Sequence, residues 1–122
     1  MATIVAHDLY VYRSSWVPDI ATEAGVVAMS SMPALAFDDR EAAARNLAAL
    51  GARESVLAAA VYTPDGSLFA SHRRAEETVP AFAPPLVADA PESIHVSGEV
   101  VEITQRIVSG GEILGTLYLR VR

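Results

Sequence analysis

The three histidines are the first residues to consider for chemistry, because imidazole is both a common metal ligand and a general acid or base near neutral pH. His7, His72 and His95 lie far apart and show no paired metal-ligand spacing. The sequence contains no cysteine, which excludes thiolate zinc ligands, disulfides and cysteine nucleophiles. It also has no glycine-rich phosphate loop and no strand-to-helix nucleophile elbow. We therefore expect no catalytic residue, no metal and no cofactor in this chain.

Polar side chains near the C-terminus favour a binding site instead. Side chains alternate between the two faces of a strand, which groups on one face of two predicted strands the residues Glu102, Thr104, Arg106, Thr116, Tyr118 and Arg120. Tyr62 can join this face from a third strand. Arg106 with Tyr62 and Tyr118 then forms a candidate site for an anion or carboxylate, through charge-assisted hydrogen bonds beside aromatic walls. The alternative is that these residues form a solvent-facing polar side of the sheet.

Composition limits the partners. The chain has 122 residues, enough for one domain with a core. Its net charge of -6 argues against nucleic acid, which requires a basic face. A mean hydropathy of +0.29 indicates apolar surface that a partner, a membrane or a second copy covers. No run of about 18 apolar residues is present, so no complete membrane helix is included. Residues 2–6 are either the stub of one or a frayed terminus.

An amphipathic helical pattern precedes the strands. Apolar residues recur at helical spacing over residues 5–27, as Val5, Leu9, Tyr12, Trp16, Ile20, Ala24 and Val27. Pro18 either kinks this helix or starts a second one. We expect Pro33 to end the region near Ser30 and Ser31.

The best-defined helix follows this region. Asp38 is the expected N-cap, and Glu41 three residues later completes a pattern like a capping box. Ala43, Leu47 and Leu50 form the apolar face of this helix. Gly51 is expected in the left-handed position that stops it.

A hairpin and three further strands complete the pattern. Residues 56–62 and 67–72 flank the turn sequence Thr63-Pro64-Asp65-Gly66, although the alanines of the first run leave a helix open. Residues 79–92 carry four prolines and are expected to form an irregular connection. Strands at residues 94–97, 100–109 and 112–121 are separated by glycine turns. The sequence predicts an α+β fold with a five-stranded antiparallel sheet and helices on one face.

These elements resemble a known family. The matching segments are HDLYVYR at residues 7–13, PALAFDDREAAARNLAAL at 33–50, VLAAAVYTPDGSLFASHRR at 56–74 and GGEILGTLYLR at 110–120. They are similar to the CHASE-type extracytoplasmic sensor domains, whose fold is PAS/Cache-like. The resemblance implies a single periplasmic domain of an inner-membrane protein, with a signalling helix at residues 1–32 and a PAS-like core at 33–122. It also implies flanking membrane helices and a cytoplasmic output domain, for which we favour a histidine kinase over a diguanylate cyclase.

Partners follow from the same resemblance. We expect a homodimer in which Leu9, Tyr12 and Trp16 meet the partner helix, while the C-terminal part of the helical stripe packs on the sheet. The input is an unknown small molecule or a periplasmic protein, and nucleic acid is not expected. A competing hypothesis is a cytosolic roadblock-like dimerisation scaffold, which would need a regular helix where this chain has its proline-rich connection.

Overall fold

Two helices followed by five strands form the described part of the computed structural model, which comprises residues 17–84 and 92–122. The elements are α1 (Val17–Ala36), α2 (Arg40–Leu50), β1 (Val56–Tyr62), β2 (Leu68–Arg73), β3 (Glu92–Ser97), β4 (Val100–Ser109) and β5 (Glu112–Val121). The predicted order of elements is confirmed. The alanine-rich run of β1, which left a helix open, is a strand buried along its whole length.

The five strands form one antiparallel sheet in the order β2-β1-β5-β4-β3. Both helices pack on the same side of this sheet, where they contribute Ala24, Leu47 and Leu50 to the core. Strand residues such as Val61 and Leu119 point into that core from the helix-covered face of the sheet. The predicted α+β fold of PAS/Cache-like type is therefore confirmed.

Helix α1 differs from the sequence prediction at its C-terminal end. Pro33 lies inside the helix, which continues to Ala36. Proline removes one backbone donor, but the last turn still closes because the Phe37 N–H donates to the Pro33 carbonyl at 2.9 Å. Ala34 is only 4% exposed in the core. We infer that packing of this turn on the sheet outweighs the local preference of proline to end a helix.

The sequence predicts that Pro18 either kinks the N-terminal helix or starts a second one, and the described residues bear on this only from Val17 onwards. Pro18 occupies the first turn of the described helix, where proline is tolerated. Ala24 is fully buried and Val27 packs against the core, so the C-terminal part of the apolar stripe does lie on the sheet. The predicted dimer residues Leu9, Tyr12 and Trp16 lie outside the described residues. Neither described helix is long and apolar enough to cross a membrane.

The ends of α2 correct two further predictions. The N-cap is Asp39 and not Asp38, because the Asp39 carboxylate accepts the Ala42 N–H at 3.0 Å. Asp38 instead takes a left-handed backbone conformation with φ of 54°. Gly51 is right-handed, with φ of -68°. Its lack of a side chain serves packing, because a Cβ there would lie 2.1 Å from the ring of His72.

The connection between β2 and β3 must cross the sheet. These two strands form opposite edges of the sheet, with β1, β5 and β4 between them. Its described part, residues 74–84, is called the strap below. The strap lies on the side away from the helices, where Val79 and Ala83 pack against Tyr62 and Tyr118. In the described residues, one face of the sheet thus packs on the helices, and the irregular strap packs on the other.

Candidate functional site

Cross-strand register assembles the site on the strap-covered face. In one row, Tyr118 of β5 lies between Ala60 of β1 and Thr104 of β4, and Ser93 of β3 follows Thr104. In the next row, Arg120 lies beside Glu102, which in turn lies beside His95. Residues two apart on a strand share a face, so both rows project towards the strap.

Tyr62 joins the strap to the centre of the sheet. Its side chain is fully buried, and its hydroxyl donates to the Pro80 carbonyl at 2.6 Å. Burial raises the pKa of Tyr62 to about 12, because the charged phenolate would lose its hydration there. Tyr62 is therefore a neutral hydrogen-bond donor at any physiological pH.

A second attachment of the strap is ionic. The Arg120 guanidinium lies 3.3 Å from the Glu77 carboxylate on the strap and 3.6 Å from that of Glu102 on β4. The Tyr118 hydroxyl also donates to Glu102. Burial, and then this hydrogen bond, raise the pKa of Tyr118 above its ordinary value. The network joins the strap, β4 and β5 through two carboxylates and one guanidinium.

A cavity of about 340 Å³, called the strap cavity below, opens next to these tyrosines. It is lined by Pro80, Pro84, Ser93, His95, Glu102, Thr104 and Tyr118. Its size lies at the lower end of the range for small-molecule sites. Thr104 and Tyr118 form its buried floor, whereas Ser93 and His95 leave it open to solvent. The described residues contain no group of three or more side chains suited to hold a metal ion.

A second cavity lies on the other side of Glu102. It measures about 330 Å³ and is lined by Leu57, Glu77, Ser97, Val100, Glu102, Arg120 and Arg122. In this second cavity two carboxylates face two guanidinium groups. The two cavities therefore differ in charge although they share Glu102.

The predicted binding residues are only partly brought together. Tyr62 and Tyr118 belong to one buried cluster on the strap side. Arg106 lies opposite Thr116 in the register, and Thr116 lies opposite Tyr62. Arg106 also lines a cavity of about 460 Å³ between α1 and β4. An anion site built on Arg106 stays a prediction.

Sequence reasoning missed the pairing of Arg120 with Glu102 and the contribution of Glu77. The β4–β5 turn starts with Ser109 opposite Glu112, but the register shifts by one residue at Ile107 and Val108. Without that bulge Arg120 would not face Glu102. Opposite charges at positions of matching parity on two adjacent strands were the available signal.

Comparison of the sequence with known protein families gives a match. The CHASE8 family model, described as a periplasmic sensor domain, matches residues 12–120. No curated protein matches the chain. The family supports an extracytoplasmic sensing role, and a sensor domain is not itself catalytic. Because the match spans nearly the whole sequence, the chain belongs to the CHASE8 family of periplasmic sensor domains.

Proposed function

We propose that this domain is the signal-receiving part of a membrane-bound bacterial sensor histidine kinase, anchored in the inner membrane. The family match carries the proposal, because a periplasmic sensor domain needs a membrane-crossing partner segment to deliver its signal. A diguanylate cyclase is the alternative output domain. In both cases the domain changes the activity of another part of the protein and performs no chemistry itself.

The input we favour is a small molecule bound beneath the strap. The contacts that hold the strap to the sheet include those from Tyr62 to the Pro80 carbonyl and from Arg120 to Glu77. A ligand in the strap cavity would touch Pro80 and Pro84 on the strap and Glu102 on β4. Binding then favours whichever strap position makes the better contacts, and the equilibrium between positions shifts. A periplasmic protein acting on the same face is the other possible input.

The signal is relayed, in this proposal, by a change in dimer arrangement. Besides the N-terminal residues named above, helix α1 presents an exposed face formed by Thr22, Val26, Met29 and Pro33. Val26 is 59% exposed and Met29 is 67% exposed. These four residues carry no charge, so a two-fold axis there brings no like charges together although the chain as a whole is at -6. We assign this face to a second copy of the chain.

Sedimentation velocity on the 122-residue domain tests the dimer. Val26→Glu would place two carboxylates near the two-fold axis, and we expect the dimer to dissociate at least tenfold more readily. Ala48→Glu is the matched control, because Ala48 is an exposed apolar residue on α2, away from this face. An unchanged dimer in Val26→Glu, or a wild-type domain that stays monomeric at high concentration, would contradict the assignment.

The gene itself tests the parent protein. We expect the reading frame to encode an apolar segment of about 20 residues on each side of this domain, followed by a kinase or cyclase domain. A frame without such segments would remove the membrane-sensor proposal. A cyclase domain would leave sensing intact and replace the histidine kinase.

A further inference from the structure

The charges around the strap cavity indicate the class of ligand it accepts. Among the described residues that line it, Glu102 is the formally charged one. His95 also lines the cavity and is exposed to solvent. Arg120 and Arg122 line the second cavity instead. Arg106, two residues beyond Thr104 on the same face of β4, lines the cavity between α1 and β4. The Arg73 guanidinium donates to the Glu77 backbone carbonyl at 3.0 Å, and Arg73 is likewise outside the lining of the strap cavity.

Arg120 does not neutralise Glu102 fully. One guanidinium serves two carboxylates, at 3.3 Å from Glu77 and at 3.6 Å from Glu102. The Tyr118 hydroxyl donates to Glu102 without adding charge. Both contacts of Glu102 within the described residues use Oε2, so Oε1 remains for a ligand. Glu102 is therefore the formally charged side chain among the described residues that line the strap cavity, whose lining includes no arginine.

The remaining walls suit a compact organic group. Pro80, Pro84 and the ring of Tyr118 present apolar surface, and Thr104 and Ser93 add two hydroxyl groups. An aromatic face next to a carboxylate is a favourable environment for an ammonium group. A site of this size holds a ligand of few heavy atoms.

We propose that the strap cavity binds a small primary amine in its ammonium form. The ammonium group pairs with Glu102, and its substituent packs against Pro80, Pro84 and the ring of Tyr118. The inference rests on the proposed function only in that this amine would be the signal. An amine on Glu102 competes with Arg120 for that carboxylate and leaves Arg120 to Glu77 on the strap, and so links occupancy to the attachment of the strap.

Matched amine and carboxylate probes test the charge preference. Isobutylamine and phenethylamine are compared with isovalerate and 3-phenylpropionate, which carry the same apolar groups on a carboxylate. Isothermal titration and thermal unfolding of the 122-residue domain measure binding, because a ligand selective for the folded state raises its stability. We expect saturable binding of at least one amine and none of its carboxylate partner. A preference for carboxylates, or no binding by either amine, overturns the inference.

Three variants locate the bound amine. Glu102→Gln removes the charge but keeps an acceptor for Tyr118, and should weaken amine binding at least tenfold. Glu77→Gln leaves the cavity lining intact and gives Arg120 to Glu102 alone, so a loss of a few-fold is expected. Glu99→Gln is the control, since Glu99 is exposed in the β3–β4 turn. Wild-type affinity in folded Glu102→Gln, checked by circular dichroism, overturns the inference.

The same set of experiments separates this inference from the proposed function. Carboxylate binding that Arg106→Ala abolishes would establish the anion site and replace the amine. That result would still leave a ligand-binding sensor. Failure of both probe classes would overturn the amine while the gene and dimer experiments, which use no ligand, judge the sensor role separately.

Discussion

Alkaline pH offers a direct measurement of how the strap-covered face is built. The sequence has four tyrosines and no lysine, so above pH 9 its titrating side chains are tyrosines, while arginine keeps its charge. Tyr62 and Tyr118 are 0% and 2% exposed. Raising the pH therefore perturbs these two buried phenols without the usual background of lysine titration.

The expected magnitude follows from the raised pKa values. Burial raises the pKa of Tyr62 from 10.0 to about 12, and burial together with the Glu102 hydrogen bond raises that of Tyr118 further. The unfolded chain thus releases these protons first, so the stabilisation is complete below pH 10 and falls as the pH rises towards the folded-state pKa. Each phenol lowers the free energy of unfolding by up to about 1.4 kcal/mol per pH unit. By pH 12 the two together should remove about 5 kcal/mol, much of the total for an ordinary domain.

Urea unfolding between pH 8 and 12 measures this slope, and tyrosinate absorbance follows the protons. Tyr62→Phe should lose about half of the slope above pH 10. It also loses the hydrogen bond to Pro80, which costs about 1 kcal/mol at every pH, so the slope and not the absolute stability is compared. Identical slopes in the wild type, Tyr62→Phe and Tyr118→Phe would refute the reasoning.

Three further predictions concern the stability of the helices and strands around the site. Gly115→Ala should lower the free energy of unfolding by about 3 kcal/mol or more, because a Cβ there would lie 2.2 Å from the Tyr62 carbonyl oxygen. Gly25→Ala, where a Cβ meets nothing within 4 Å inside α1, should instead raise it by about 0.5–1 kcal/mol; equal thermal shifts would contradict both. Asp39→Ala should cost about 1 kcal/mol by removing the α2 cap, whereas Glu54→Ala, an exposed change after the helix, should leave the midpoint of unfolding unchanged.

The sequence predicts the elements well where local chemistry and packing agree. The turn at residues 63–66 formed as expected, because Gly66 supplies a φ of 90° and the Thr63 N–H bonds to the Ser67 carbonyl at 2.8 Å. The apolar face of α2 is buried as its spacing indicated. Pro33 does not end the helix as its local preference predicts, because the following turn packs into the core.

The site was harder to predict because it depends on the register between neighbouring strands and on the strap, whose residues follow no helical or strand periodicity. Alternation placed Tyr118 on the correct face, but its neighbours depend on a one-residue bulge in β5, at Leu114, that no turn residue indicates. Glu77 and Pro80 reach the site from the strap, whose path depends on long-range contacts such as those of Arg120 with Glu77 and of Tyr62 with Pro80, and not on a repeating pattern. Pairing between distant segments is the information that a single sequence carries least clearly.

The path of the strap over the sheet also constrains the order of folding. The β1–β2 hairpin and the β3–β4–β5 meander each contain only local pairings, so each can form quickly. The pairing of β1 with β5 joins residues about 60 positions apart, such as Ala60 and Tyr118, and closes a loop that contains the whole strap. We expect this closure to limit the folding rate, because its entropy must be lost before the central contacts form. The segment that covers the cavity is thus also the tether that sets how fast the two halves of the sheet meet.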